Sequence, residues 1–175
     1  MKNKHGFTLV ELLAVIVILA LIMSIAVISI GGVLQSTRQS TFKETAASII
    51  DGVQKQLTIA NELEEGNYHF ASTIVEKGGD KSPLGGDIKY STSGTQIGSS
   101  PVYRVDKNST FLTCTAGSDS FVHISYDKQS YKYTYYICLT AGSDNYYINN
   151  GELSKLLDSK DVTMIYTKDG QPVAS

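Results

Sequence analysis

Tryptophan is absent from this chain, and proline (3), cysteine (2) and histidine (3) are scarce. Two cysteines are too few for a scaffold built on disulfides or for a four-ligand zinc module. Charge of one sign is lacking too. With 15 Lys+Arg against 17 Asp+Glu the net charge is −2, without the basic excess of a general nucleic-acid binder. Disorder is excluded by an apolar fraction of 42%, and 175 residues is the length of one domain. The one absence that is local is the most informative. Nothing charged occurs between Glu11 and Arg38, and residues 12–34 comprise 19 apolar residues, two Ser and two Gly. The rest of the chain is polar and rich in Tyr, Gly and Ser, so the sequence reads as a membrane anchor joined to a polar body.

As a helix, residues 12–34 extend ~34 Å at ~1.5 Å per residue, enough for a hydrocarbon core of ~30 Å. The stretch is longer than the roughly 7 to 15 apolar residues of a cleavable secretory signal. Lys2 and Lys4 precede it, and the nearest basic residues behind it are Arg38 and Lys43. The positive-inside tendency therefore places the N-terminus in the cytoplasm and exports the polar body. Glu11 stands at the edge of the span, where a carboxylate needs either the headgroup layer or a partner.

The string Lys4-His5-Gly6-Phe7-Thr8-Leu9-Val10-Glu11-Leu12 resembles the processing site of type IV prepilins, and the chain over residues 1–60 is similar to a short-leader type IV pilin. The resemblance implies that a membrane peptidase cuts after Gly6 on the cytoplasmic side and that the new N-terminal Phe7 is N-methylated. It also implies that Glu11 pairs with the N-terminus of a neighbouring subunit during assembly, two costly charges neutralising each other in an apolar setting. Gly6 suits a scissile position because it lets the backbone approach a protease without side-chain conflict. Loss of Lys2 and Lys4 leaves 15 − 2 = 13 basic against 17 acidic side chains, a mature charge of −4. Many members of the family carry a helix-kinking proline where Ile28 stands; here no proline precedes Pro83, and Gly31-Gly32 supplies a weaker flexible point.

Beyond the span, Phe42, Ala46, Ile49, Ile50, Val53, Leu57 and Ala60 recur at helical spacing, with Arg38, Lys43, Glu44, Asp51 and Lys55 largely between them. One helix over residues 7–63 is predicted, capped by Gly66. Residues 67–100, rich in Gly and Ser, read as an irregular helix-to-sheet connection with a short helix at 71–75 and a short strand at 88–90. Strands are predicted at 102–105, 111–115, 121–126, 131–139, 146–148 and 162–167, with Asp127-Lys128-Gln129-Ser130 as a hairpin turn and a short helix at 152–157 capped by Asn150. The expected fold is α+β and pilin-like, one long N-terminal helix packed on an antiparallel sheet. The domain reading is a cleaved leader over 1–6, a membrane-spanning and assembly half of the helix over 7–34, and an exported head over 35–175.

Cys114 and Cys138 end neighbouring strand signals, so they can form a disulfide in an exported domain or remain two buried thiols in a reducing habitat; the resembled family contains members of both kinds. The repeated string Thr-Ala-Gly-Ser-Asp at 115–119 and 140–144 reads as two similar turns, and Tyr131, Tyr133, Tyr135 and Tyr136 as sheet packing. His69 and His123 lack the spacing of a metal site, Asn108-Ser109-Thr110 matches N-x-S/T, and no catalytic or phosphate-binding motif is present. No catalytic, cofactor or metal residues are assigned. By resemblance the chain is a structural subunit of a surface pilus serving adhesion, motility or biofilm formation, a membrane precursor first and an extracellular filament after assembly. Its implied partners are its own copies, other pilins, the prepilin peptidase and an assembly platform with its ATPase, with no nucleic acid. A pseudopilin of a secretion or DNA-uptake machine, or a single-span anchored ectodomain, is the alternative.

Overall fold

The computed structural model describes residues 8–75, 80–108, 110–142, 146–158, 164–167 and 169–173, with the side chains of residues 25–30 also left outside the description. Gly6 and Phe7 therefore lie outside it, as do Val162 and Thr163 of the last predicted strand. The chain forms two compact units, residues 1–37 and 38–175. Helix α1 (Leu9–Ile59) contributes to both.

The predicted helix end is shorter in the structure, for an identifiable reason. Asn61 takes a left-handed conformation (φ 54°), its N–H donates to Thr58 O (3.1 Å), and the Glu62 N–H donates to Leu57 O (2.9 Å). This is the 6→1 and 5→2 hydrogen-bond pair of a Schellman stop with asparagine in the place glycine usually fills. Gly66, expected as the cap, instead opens the first strand.

Within residues 38–175 the last part of α1 lies on an antiparallel sheet. Its strands are β1 (Gly66–Phe70), β2 (Thr95–Gln96), β3 (Val102–Asp106), β4 (Phe121–Asp127), β5 (Lys132–Ala141), β6 (Tyr146–Glu152) and β7 (Ile165–Thr167), in the spatial order β2-β3-β1-β4-β5-β6-β7 among the described residues. Phe42, Ala46, Ile49, Ile50, Val53 and Leu57 form the buried stripe of the helix, and they share one core with Tyr68, Phe70, Val122, Ile124, Ile137, Leu139, Ile148 and Ile165 of the sheet. Two residues depart from the predicted stripe: Ala60 is exposed, lying past the helix stop, and Lys43 is buried, its Nζ donating to Asp158 O at 3.2 Å.

The strand pairing sorts side chains onto two faces. Tyr68 faces Val122, and Ile124 faces Tyr135, on the helix side; Asn67 faces His123, His123 faces Tyr136, and Phe121 faces Cys138 on the other. That second face is covered as well, which corrects the predicted strand at 111–115. Residues 110–120 have no strand; they form an irregular cover whose Phe111 ring stacks near Phe121 (5.0 Å), His123 (5.6 Å) and Tyr136 (6.4 Å). The apolar spacing that suggested a strand is there to seat side chains on the sheet, not to pair backbones. Cys114, Phe121, Cys138 and Tyr147 make a second small core under this cover.

The 67–100 reading needs two further corrections. β1 occupies its start, a central strand buried on both faces, and β2 its end; residues 72–74 form a 3-10 turn, and Ile88 makes only an isolated bridge to Ala141. The short helix α2 (Leu153–Leu156) begins after Glu152, whereas Asn150 lies within β6. Tyr133 and Tyr135 pack against the main core, so the tyrosine run is sheet packing, but Tyr131 stands exposed at the hairpin tip.

Candidate functional site

Of the residues predicted from sequence to act in processing and assembly, Gly6 and Phe7 fall outside the described residues, and Glu11 lies at the start of α1. Thr8 and Glu11 form a reciprocal cap there. The Thr8 N–H (2.8 Å) and Oγ1 hydroxyl (2.9 Å) both donate to Glu11 Oε2, and the Glu11 N–H donates to Thr8 Oγ1 at 3.3 Å. This is a capping box, in which a Thr and a Glu three residues later satisfy backbone donors that the first helical turn leaves free. It starts the helix at Leu9, two residues beyond Phe7. Sequence reasoning passed over Thr8, although Thr8-x-x-Glu11 directly before an apolar run is the signature of such a box.

After Glu11 the helix carries a surface of an unusual kind. Leu9 is 80% exposed, Ile22 58% and Val33 67%, and the large apolar residues between them whose side chains are described are likewise exposed. A helix that is apolar all round is ordinarily buried, so this one is built to be surrounded by other apolar groups. Among the described residues no helix is long and apolar enough to cross a membrane.

Residues 1–27 match the family model described as the prokaryotic N-terminal methylation motif. The chain carries the type IV pilin signature. That signature marks precursors of type IV pilins and pseudopilins, structural subunits that are processed by a prepilin peptidase and assemble with other pilins. No curated protein and no solved structure matches the chain. Glu11, Thr8 and the apolar helix thus fall inside the matched segment or directly follow it.

The remaining sequence-predicted residues are placed far along the chain from this signature. Cys114 and Cys138 are joined by a disulfide, their Cα atoms 5.7 Å apart, which ties the cover to β5. His69 Nδ1 meets Ser93 O at 2.9 Å, and His123 Nδ1 meets Asn67 Oδ1 at 3.0 Å. Each acceptor is an oxygen, so Nδ1 carries the proton in both rings. Burial pushes the His123 imidazole below its ordinary value of 6.5, opposed by the charges of Asp106 and Glu65. The described residues contain no cluster of three metal-ligating side chains.

The connection between helix and sheet is fixed by charge. Arg104 Nη2 lies 2.9 Å from Glu62 Oε2 and 3.4 Å from Glu64 Oε2, Lys107 Nζ lies 2.7 Å from Glu64 Oε2, and the Tyr133 hydroxyl donates to Leu63 O at 3.2 Å. The first Thr-Ala-Gly-Ser-Asp string and residues Thr140 to Gly142 of the second also have a structural use. Lys89 lies between them, its N–H donating to Thr140 O (3.1 Å) and its Nζ to Gly117 O (3.1 Å). Gly86 (φ +75°) passes so close to Gly142 that no side chain fits there.

Proposed function

We propose that this chain is the structural subunit of a surface type IV pilus, cut after Gly6, N-methylated at Phe7 and polymerised through the apolar half of α1. The observation that carries the reading is a coincidence: the methylation motif over residues 1–27 ends inside a helix whose apolar side chains stand exposed. In the precursor, residues 7–34 hold the chain in the membrane with its N-terminus in the cytoplasm, and residues 35–175 form the exported head. In the filament the same residues exchange lipid for the helices of neighbouring copies. Glu11 pairs there with the Phe7 amino group of a neighbour, which removes two isolated charges from an apolar interior. The role is structural, with adhesion, motility or biofilm formation as the service the filament performs.

Labelled electron microscopy of sheared surface material tests the reading. Long filaments labelled for this chain are expected, and none from cells making only Gly6→Val, which places a branched side chain at the scissile bond. Short or absent filaments from the unaltered chain would favour a pseudopilin or a simple anchor instead.

A further inference from the structure

The loop that leaves β3 toward the cover is closed at its neck by one residue. Asn67, fully buried on β1, donates from Nδ2 to Asp106 Oδ1 (2.8 Å) and to Thr110 O (2.9 Å). Its Oδ1 accepts from His123 Nδ1 at 3.0 Å, so the amide is satisfied on both sides. Asp106 Oδ1 also accepts the Asn108 N–H at 3.1 Å, a local side-chain turn. Asp106 and Thr110, on either side of Asn108, are thereby anchored to Asn67. Asn108 and Thr110 are exposed, and the Asn108 side chain makes no hydrogen bond among the described residues.

Asn108-Ser109-Thr110 is an N-x-T string, in which Ser109 enters only by its identity as a residue other than proline. We propose that Asn108 is a site of N-glycosylation, the buried Asn67 network serving as the base that presents it. The donor is a sugar carried on a polyprenyl diphosphate. A bond forms between Asn108 Nδ2 and the anomeric carbon, the bond from that carbon to the diphosphate oxygen breaks, the diphosphate leaves with the electron pair, and the amide gives up one proton. The Thr110 hydroxyl is the second element that such an acceptor requires. The inference rests on the reading that residues 35–175 are exported, since that is the compartment in which N-x-T strings on surface loops are modified.

The test is peptide mass spectrometry of the full chain isolated from the cells that make it, reading the Asn108 peptide and the N-terminal peptide together. The expected result is a glycan mass on Asn108 in a chain that begins at methylated Phe7, lost completely in both Asn108→Gln and Thr110→Val. An unmodified Asn108 in a chain beginning at Phe7 overturns the glycosylation and leaves the pilin reading standing. A glycan on a chain that keeps its leader supports the site and overturns the processing. An unmodified chain with its leader intact overturns both.

Discussion

Glu11 carries the most weight of any single residue, and its hydrogen bonds define what a substitution removes. The carboxylate receives two donors from Thr8, both on Oε2. Glu11→Gln keeps the shape of the cap but not the charge, whereas Glu11→Ala loses both. If the charge pairs with a neighbour's amino group, both variants are processed and accumulate in membranes, and filament yield falls to near zero in each. If only the helix start matters, Gln assembles and Ala does not, so filament yield by electron microscopy separates the two roles. Thr8 carried a capping-box signature that the sequence reading passed over, whereas Asn67 carried none: a polar residue in a Gly-bounded stretch gives no sign that a distant loop and His123 will close over it. His123 yields a second prediction at this scale. Its pKa is lowered by burial, so the unfolded chain binds more protons than the folded one in mildly acidic solution. The stability linked to this ring is kept above the unfolded value near 6.5 and is lost as pH falls through the lower folded value. Thermal unfolding of the full chain in detergent from pH 7.5 to 5 should therefore show a steeper loss in the unaltered protein than in His123→Gln, and parallel curves would show that the ring does not titrate in this way.

Among the elements, the cover over residues 110–120 has no regular structure of its own and depends on what ties it down. The disulfide from Cys114 to Cys138 closes a separation of 24 residues, and Phe111 adds its ring contacts on the sheet. Replacing both cysteines by Ser should lower unfolding stability by about 2–4 kcal/mol, the usual scale for one such bond. Urea titration of the full chain in detergent measures it, and an unchanged midpoint would mean that apolar contacts alone hold the cover. Element type was readable wherever periodicity ran long: the helix stripe from Phe42 to Leu57 and the hairpin of β4 and β5 both stand close to their predicted places. It failed where tertiary contact decided the matter. Phe111-Leu112 has the composition of a strand but caps a sheet face, and β1 is five residues long and buried on both sides, so neither alternation nor length announced it.

For the whole molecule, the central claim is that one segment serves two environments, lipid before assembly and neighbouring helices after it. The exposed apolar side chains of α1 and the methylation motif over residues 1–27 support that claim from independent sides, one physical and one by similarity. Both were legible in the sequence, because a charge-free run and a short motif are local properties that need no tertiary structure to be seen. Assembly is not legible in the same way, since contacts between copies would leave no periodicity in one chain. The most direct measurement is intact and N-terminal peptide mass spectrometry of this chain taken from sheared filaments. The account predicts a chain that starts at Phe7, carries one methyl group on its amino nitrogen and lacks residues 1–6. A filament chain that still begins at Met1, or that begins at Phe7 without the methyl group in any copy, would contradict it.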